Sequence, residues 1–199
     1  MTLLWPERDG QQARHPFNIV VWRLRKLYEQ HGVAGEDFVH SNRERVAFVP
    51  KRPFRFDQDE FLRLTTAGLA EKQLAQREAV LKQALALWKG VPFSGLYTTY
   101  CLERRERLEL LRIEAWRQLL ADCYAKRAYA EAIDWGNAIL REDSLREQVH
   151  CELMRCYVAL GQPVLAVRQY QRCAEIMERE LGIRPFSATQ QLYRQIVEG

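Results

Sequence analysis

The sequence predicts a mostly α-helical fold in which stacked helical pairs follow a short segment of one helix and a β-hairpin. Three observations carry this. Apolar residues recur at helical spacing almost without interruption after Asp57, one stretch of the chain repeats at a fixed interval, and a basic, proline-bearing run at residues 50–57 separates the two parts.

In the first part, Phe17, Val20, Val21, Leu24, Leu27 and Tyr28 form one apolar stripe at helical spacing. Pro16 suits the first turn of that helix, where a missing N–H leaves no bond unmade, and Gly32 and Gly35 end it. Two short β-prone runs follow, Phe38–His40 and Val46–Val49, with Asn42 to Glu44 at the turn between them. The run "PKRPFRFD" then breaks regular structure, which places a domain boundary there: residues 1–52 before it and 53–199 after it.

In the second part, helices are expected over Asp57–Ala70, Lys72–Trp88, Thr99–Lys126, Tyr129–Arg141, Leu145–Leu160, Pro163–Leu181 and Ser187–Val197. The one sizeable loop is "KGVPFSGLY", broken by Gly90, Pro92 and Gly95. Trp116, Leu119, Tyr129 and Ala132 have counterparts 34 residues later at His150, Leu153, Pro163 and Ala166. A period of that length, with two helices per unit, is the signature of a tetratricopeptide-like repeat. The small alanines let the helices of one unit approach closely, while Trp116, Leu119, Leu153 and Tyr157 fill the layer between units. Only two units align, so the flanking helices are expected to act as irregular caps.

Composition narrows the function. The 47% hydrophobic and 28% charged content is that of a folded globular chain rather than a disordered one. No apolar run could span a bilayer and no secretory signal opens the sequence, so a cytoplasmic location without membrane contact is expected. The five cysteines form no CxxC pair, and the four histidines lie far apart, so no metal and no cofactor is expected. A phosphate-binding glycine loop, GxSxG and HExxH are all absent; Asp57 and Asp59 sit at a helix start, where they cap it, and an enzyme is not expected. Residues 1–55 hold ten Lys/Arg against six Asp/Glu, whereas the remainder is balanced. The excess positive charge lies in the first quarter of the chain, which points to a polyanion partner for that part.

The stretch from Ala84 through "LWKGVPFSGLY", the charged "LERRERLELL" helix, the two repeats and the closing "ERELGIRPFSATQQLYRQI" resembles the bacterial transcriptional activator domain of SARP-type regulators. The resemblance covers residues 57–196, and the "ELGIRP" turn before the helix bearing Leu192 and Tyr193 is its most specific piece. In that family the module follows a winged-helix DNA-binding domain of the response-regulator type. The residues "LLWPERDGQQARHPFNIVVWRLRKLYE" are similar to the end of its positioning helix and its recognition helix, with Arg23–Lys26 as the matching core. The elements that open such a domain do not precede Leu3, so residues 1–52 are expected to be its C-terminal part, a partial winged-helix segment. Trp22 departs from the small polar residues usual at its position in the family.

The resemblance implies a transcription regulator that binds DNA. Its module is implied to mediate self-association or contact with the transcription machinery such as RNA polymerase. With the apolar stripe inward, Arg14, Asn18, Trp22 and Arg25 fall on the outer face of the recognition helix, flanked by Arg23 and Lys26. Asn reads adenine and Arg reads guanine through paired hydrogen bonds in the major groove. The hairpin would be the wing, with Arg43 and Arg45 at its tip entering the minor groove or touching phosphates. The concave face of the repeats would offer Arg117, Gln118, Tyr124, Glu152 and Arg155 to a protein partner. The alternative is a repeat adaptor that makes protein contacts only and no longer binds DNA.

Overall fold

Hydrogen-bonded helices account for most of this chain because its apolar residues repeat at the helical period and its breakers fall between, not within, those stretches. The computed structural model describes residues 12, 14–41, 46–51 and 53–198. It divides into two compact units, Met1–Phe56 and Asp57–Gly199.

In the first unit, α1 (Arg14–Gln30) is followed by a 3-10 turn (Gly35–Asp37) and by strands β1 (Val39–Ser41) and β2 (Val46–Phe48). The strands pair antiparallel, with Val39 opposite Phe48 and Ser41 opposite Val46. The sequence expectation of a helix and a hairpin is met, although the helix packs on a different face than the apolar stripe implies. Val21 is buried, and Tyr28 stacks on Phe38 at 5.0 Å. Between them Arg25 donates from Nε and Nη2 to the Val39 carbonyl at 3.2 and 3.0 Å, and from Nη2 to Ser41 Oγ at 3.1 Å. The inward face is thus Val21–Arg25–Tyr28, while Val20, Leu24 and Leu27 stay 45%, 39% and 53% exposed. Gly35 allows this approach, because a Cβ there would lie 2.6 Å from the Arg25 Cα.

The second unit comprises α2 (Asp57–Ala70), α3 (Leu74–Ala86), α4 (Thr99–Ala125), α5 (Tyr129–Glu142), α6 (Glu147–Ala159), α7 (Pro163–Leu181) and α8 (Ser187–Glu198). Thr98 caps α4 by accepting from the Cys101 amide, Pro163 opens α7, and Gly182, left-handed at φ 66°, closes it. Consecutive helices pair as α2–α3, α4–α5 and α6–α7, and α8 covers the exposed end against α6 and α7. The 34-residue phase lies on the α4–α5 and α6–α7 pairs. Ala132 and Ala166, at equivalent positions, are both fully buried where two helices approach. Leu120, Ile139, Leu140, Val149 and Leu153 form the layer between the pairs, with Trp116, Trp135 and Tyr157 at its margin. The N-terminal half of α4 instead closes a core with α2 and α3, built on Phe61, Leu64, Ala84 and Leu108. That long helix joins the irregular first pair to the repeats.

Buried polar groups fix the pairs in register. Asp122 on α4 accepts from Nε and Nη2 of Arg77 on α3, at 2.7 and 2.6 Å, and from the Gln118 amide at 3.0 Å. Arg112 lies between the rings of Trp88 and Trp116, 4.1 and 4.7 Å from their centroids, and pairs with Glu142 at 2.8 Å. His150, at the place Trp116 occupies one repeat earlier, is buried; Gln169 Nε2 lies 2.8 Å from its Nδ1 and the Ser144 carbonyl 3.1 Å from its Nε2. Those partners suit the neutral ring with Nε2 protonated, and burial holds its pKa below the usual histidine value. The unfolded chain therefore binds this proton more readily than the folded one. The contribution of His150 to stability should be complete above about pH 6.5 and decline as the pH falls below it. Urea midpoints measured from pH 8 to pH 5 should drop on the acid side, and His150→Gln should flatten that part of the profile.

Candidate nucleic-acid and protein-contact surfaces

On α1 Asn18 and Trp22, one turn apart, are both exposed, with Trp22 at 59%. Arg14, Arg23 and Lys26 are exposed as well, and Lys26 pairs with Glu29 at 2.6 Å. The helix thus exposes an amide and an aromatic ring among cations. Arg25 is the correction: its guanidinium is turned to β1, so its first role is to tether the helix to the hairpin. Helical spacing alone could not separate it from the outer face, because the neighbouring apolar stripe invited the hairpin to the wrong side. Arg43 and Arg45, with residues 1–11 of the expected positioning helix, lie outside the described residues.

On the second unit a groove of about 620 Å³ opens between α4, the start of α6 and the start of α8. Of the residues expected on the concave face, Arg117 and Arg155 line it together. The other three do not. Gln118 is half-buried and donates to Asp122, Tyr124 packs edge-on against Tyr129 at 5.4 Å, and Glu152 accepts from Gln148 at 3.1 Å. Gln118 was discoverable as an i,i+4 partner of Asp122, but the Arg77 that completes the cluster lies 45 residues away in sequence. The groove also contains Arg146, Glu147 and Phe186, which the 34-residue phase did not single out.

The cysteines are free, and burial pushes the thiols of Cys123 and Cys156 up to about 11 and that of Cys173 to about 12. Those three pack as small apolar groups, with negligible thiolate at neutral pH. Among the described residues no helix is long and apolar enough to cross a membrane.

The model of the bacterial transcriptional activator domain matches residues 56–197. The chain belongs to this family. As a bacterial transcriptional activator domain protein it is 27% identical over 200 residues to the regulatory protein AfsR of Streptomyces coelicolor, covering 98% of this chain and 19% of AfsR. Its fold resembles that of Mycobacterium tuberculosis EmbR, solved in complex with a low affinity phosphopeptide, with a TM-score of 0.70 at 22% identity over 99% of this chain and 53% of EmbR. It also resembles the C-terminal TPR-containing domain of an FK506-binding protein of Plasmodium falciparum, with a TM-score of 0.51 at 14% identity over 71% of this chain and 89% of that one. The chain thus spans about half of EmbR and a fifth of AfsR. The mostly helical, tetratricopeptide-like architecture agrees with these folds.

Proposed function

We propose that the protein is a transcription regulator of the SARP type, in which the first unit contacts DNA and the helical repeats contact protein. The observation that carries this is the family match over residues 56–197, preceded by a helix on which Asn18, Trp22, Arg23 and Lys26 are exposed. In this reading residues 1–52 are the C-terminal part of a winged helix and residues 53–199 the activator module. Helix α1 enters the major groove, Asn18 reads a base edge, and Arg14, Arg23 and Lys26 neutralise phosphates. Arg25 holds the wing against the helix that it orients, and Arg43 and Arg45 reach the minor groove from the wing. The protein acts in the cytoplasm, on DNA and on a partner such as RNA polymerase or a second copy of itself, and it carries no catalytic site.

Selection of bound duplexes from a randomised DNA pool tests the reading. The chain should enrich one sequence motif, and Asn18→Ala should relax the preference at one position by about 1–3 kcal/mol. No enrichment over the starting pool would leave the repeat adaptor, which makes protein contacts alone, as the function.

A further inference from the structure

We infer that the groove between α4, α6 and α8 binds an acidic peptide segment of a partner protein. The inference rests on the reading of the repeats as a protein-contact module and assigns that contact a place and a chemistry. The volume, about 620 Å³, lies within the ~300–1,000 Å³ of sites that enclose a ligand or a few peptide side chains.

Charge decides the occupant. Arg117, Arg146 and Arg155 line the groove, against a single acidic lining residue, Glu147; Arg146 is already paired with Asp143 at 3.0 Å, which leaves Arg117 and Arg155 to meet a ligand. Glu147 is buried and already accepts from the Phe186 amide at 2.7 Å, so one of its oxygens is spent on fixing the α7–α8 turn. Arg155 is exposed and makes no ion pair among the described residues. Arg117 holds Glu114 only through a long contact of 3.3 Å in which both side chains are about half exposed, a pairing that an incoming carboxylate can replace at small cost. Arginine forks bind carboxylates through two parallel hydrogen bonds, which favours acidic side chains over a diffuse negative field.

The groove also has an apolar wall. Phe186 is 66% exposed and Leu145 37% exposed, and both belong to the lining. A segment that sets an apolar side chain on Phe186 and carboxylates on Arg117 and Arg155 would satisfy both features. Helix α8 starts at this wall with no acidic residue in its first turn, so its dipole adds to the positive end of the groove. The same cations belong to the second unit and the helix proposed to read DNA to the first, and the two contacts can therefore be tested by separate substitutions.

The test is selection of peptides from a randomised display library by the full chain, followed by anisotropy titration of the selected peptides, fluorescein-labelled. Enriched peptides should combine at least two Asp or Glu with one large apolar residue. Arg117→Glu/Arg155→Glu should weaken their binding about tenfold or more, and Arg117→Gln/Arg155→Gln should weaken it less, with the thermal midpoint of both variants unchanged. DNA affinity should stay at the wild-type value in both. Selection of no peptide, selection without acidic enrichment, or binding unaffected by the reversals would overturn the inference. So would loss of DNA binding in the reversed variant, which would make the groove a polyanion surface. The peptide outcomes leave the reading of α1, which the duplex selection addresses, untouched.

Discussion

Replacing Asp122 by alanine is expected to destabilise the protein by about 3–5 kcal/mol, the usual cost of removing one partner from a buried ion pair. Its side chain is 4% exposed and that of Arg77 is 16% exposed, so water cannot take over the lost bonds. Arg77 would keep only the Glu71 carbonyl as acceptor, and the Gln118 amide would lose its partner. The pair joins α3 to α4, so the damage falls where the first helical pair meets the repeats. The cost belongs to the orphaned charge rather than to the bond itself. A double replacement, Arg77→Met with Asp122→Leu, should therefore recover most of the loss. Urea denaturation of the wild type and the two variants checks this through their midpoints at constant slope. A single variant costing less than about 1 kcal/mol would mean that the pair is open to solvent.

The second large effect is expected at Leu153, which is fully buried in the layer between the two repeats. Truncation to alanine should cost about 2–5 kcal/mol, the transfer term plus the cavity left behind. Its neighbour makes the prediction sharper. A Cβ added at Gly136 would lie 2.5 Å from Leu153 Cδ2 and 3.1 Å from Leu120 Cδ1, in a layer with no free side to move into. Gly136→Ala alone should then cost about 1–3 kcal/mol through overpacking. In the double variant the new methyl occupies space that Leu153→Ala vacates. The combined loss should fall short of the sum by about 1 kcal/mol or more, as measured in a double-mutant cycle. Additive losses would show that the two positions do not share that space.

The repeat was legible because its determinant is local and periodic. Ala132 and Ala166 must both be small where two helices cross, and a spacing of 34 residues reveals that without any tertiary knowledge. The helices of the second unit followed from apolar residues at helical spacing, and the structure shifts their ends by at most two residues. What stayed hidden depends on residues far apart in sequence. Arg112 looks like one of many charges on the α4 surface until Trp88 and Trp116 are seen to enclose it. Arg77 and Asp122 carry no mark of their pairing. Arg25 sits one helical step from an apolar stripe, and only the position of the hairpin shows that its guanidinium turns toward β1. The groove was half legible. Arg117 and Arg155 lie on the first helices of the two repeat units, where a concave face was expected, whereas Phe186 enters the groove through the turn after α7, which lies outside the repeat.

The reading of the protein as a DNA-binding regulator is tested most directly by the salt dependence of its affinity for a duplex, followed by fluorescence anisotropy from low to physiological salt. Contacts from Arg14, Arg23 and Lys26 to three phosphates should give a slope of log affinity against log salt of about −3, and Arg23→Ala/Lys26→Ala should bring it to about −1 while weakening binding at every salt concentration. Absence of binding at the lowest salt, or a slope and affinity unchanged in the double variant, would contradict DNA recognition by this helix.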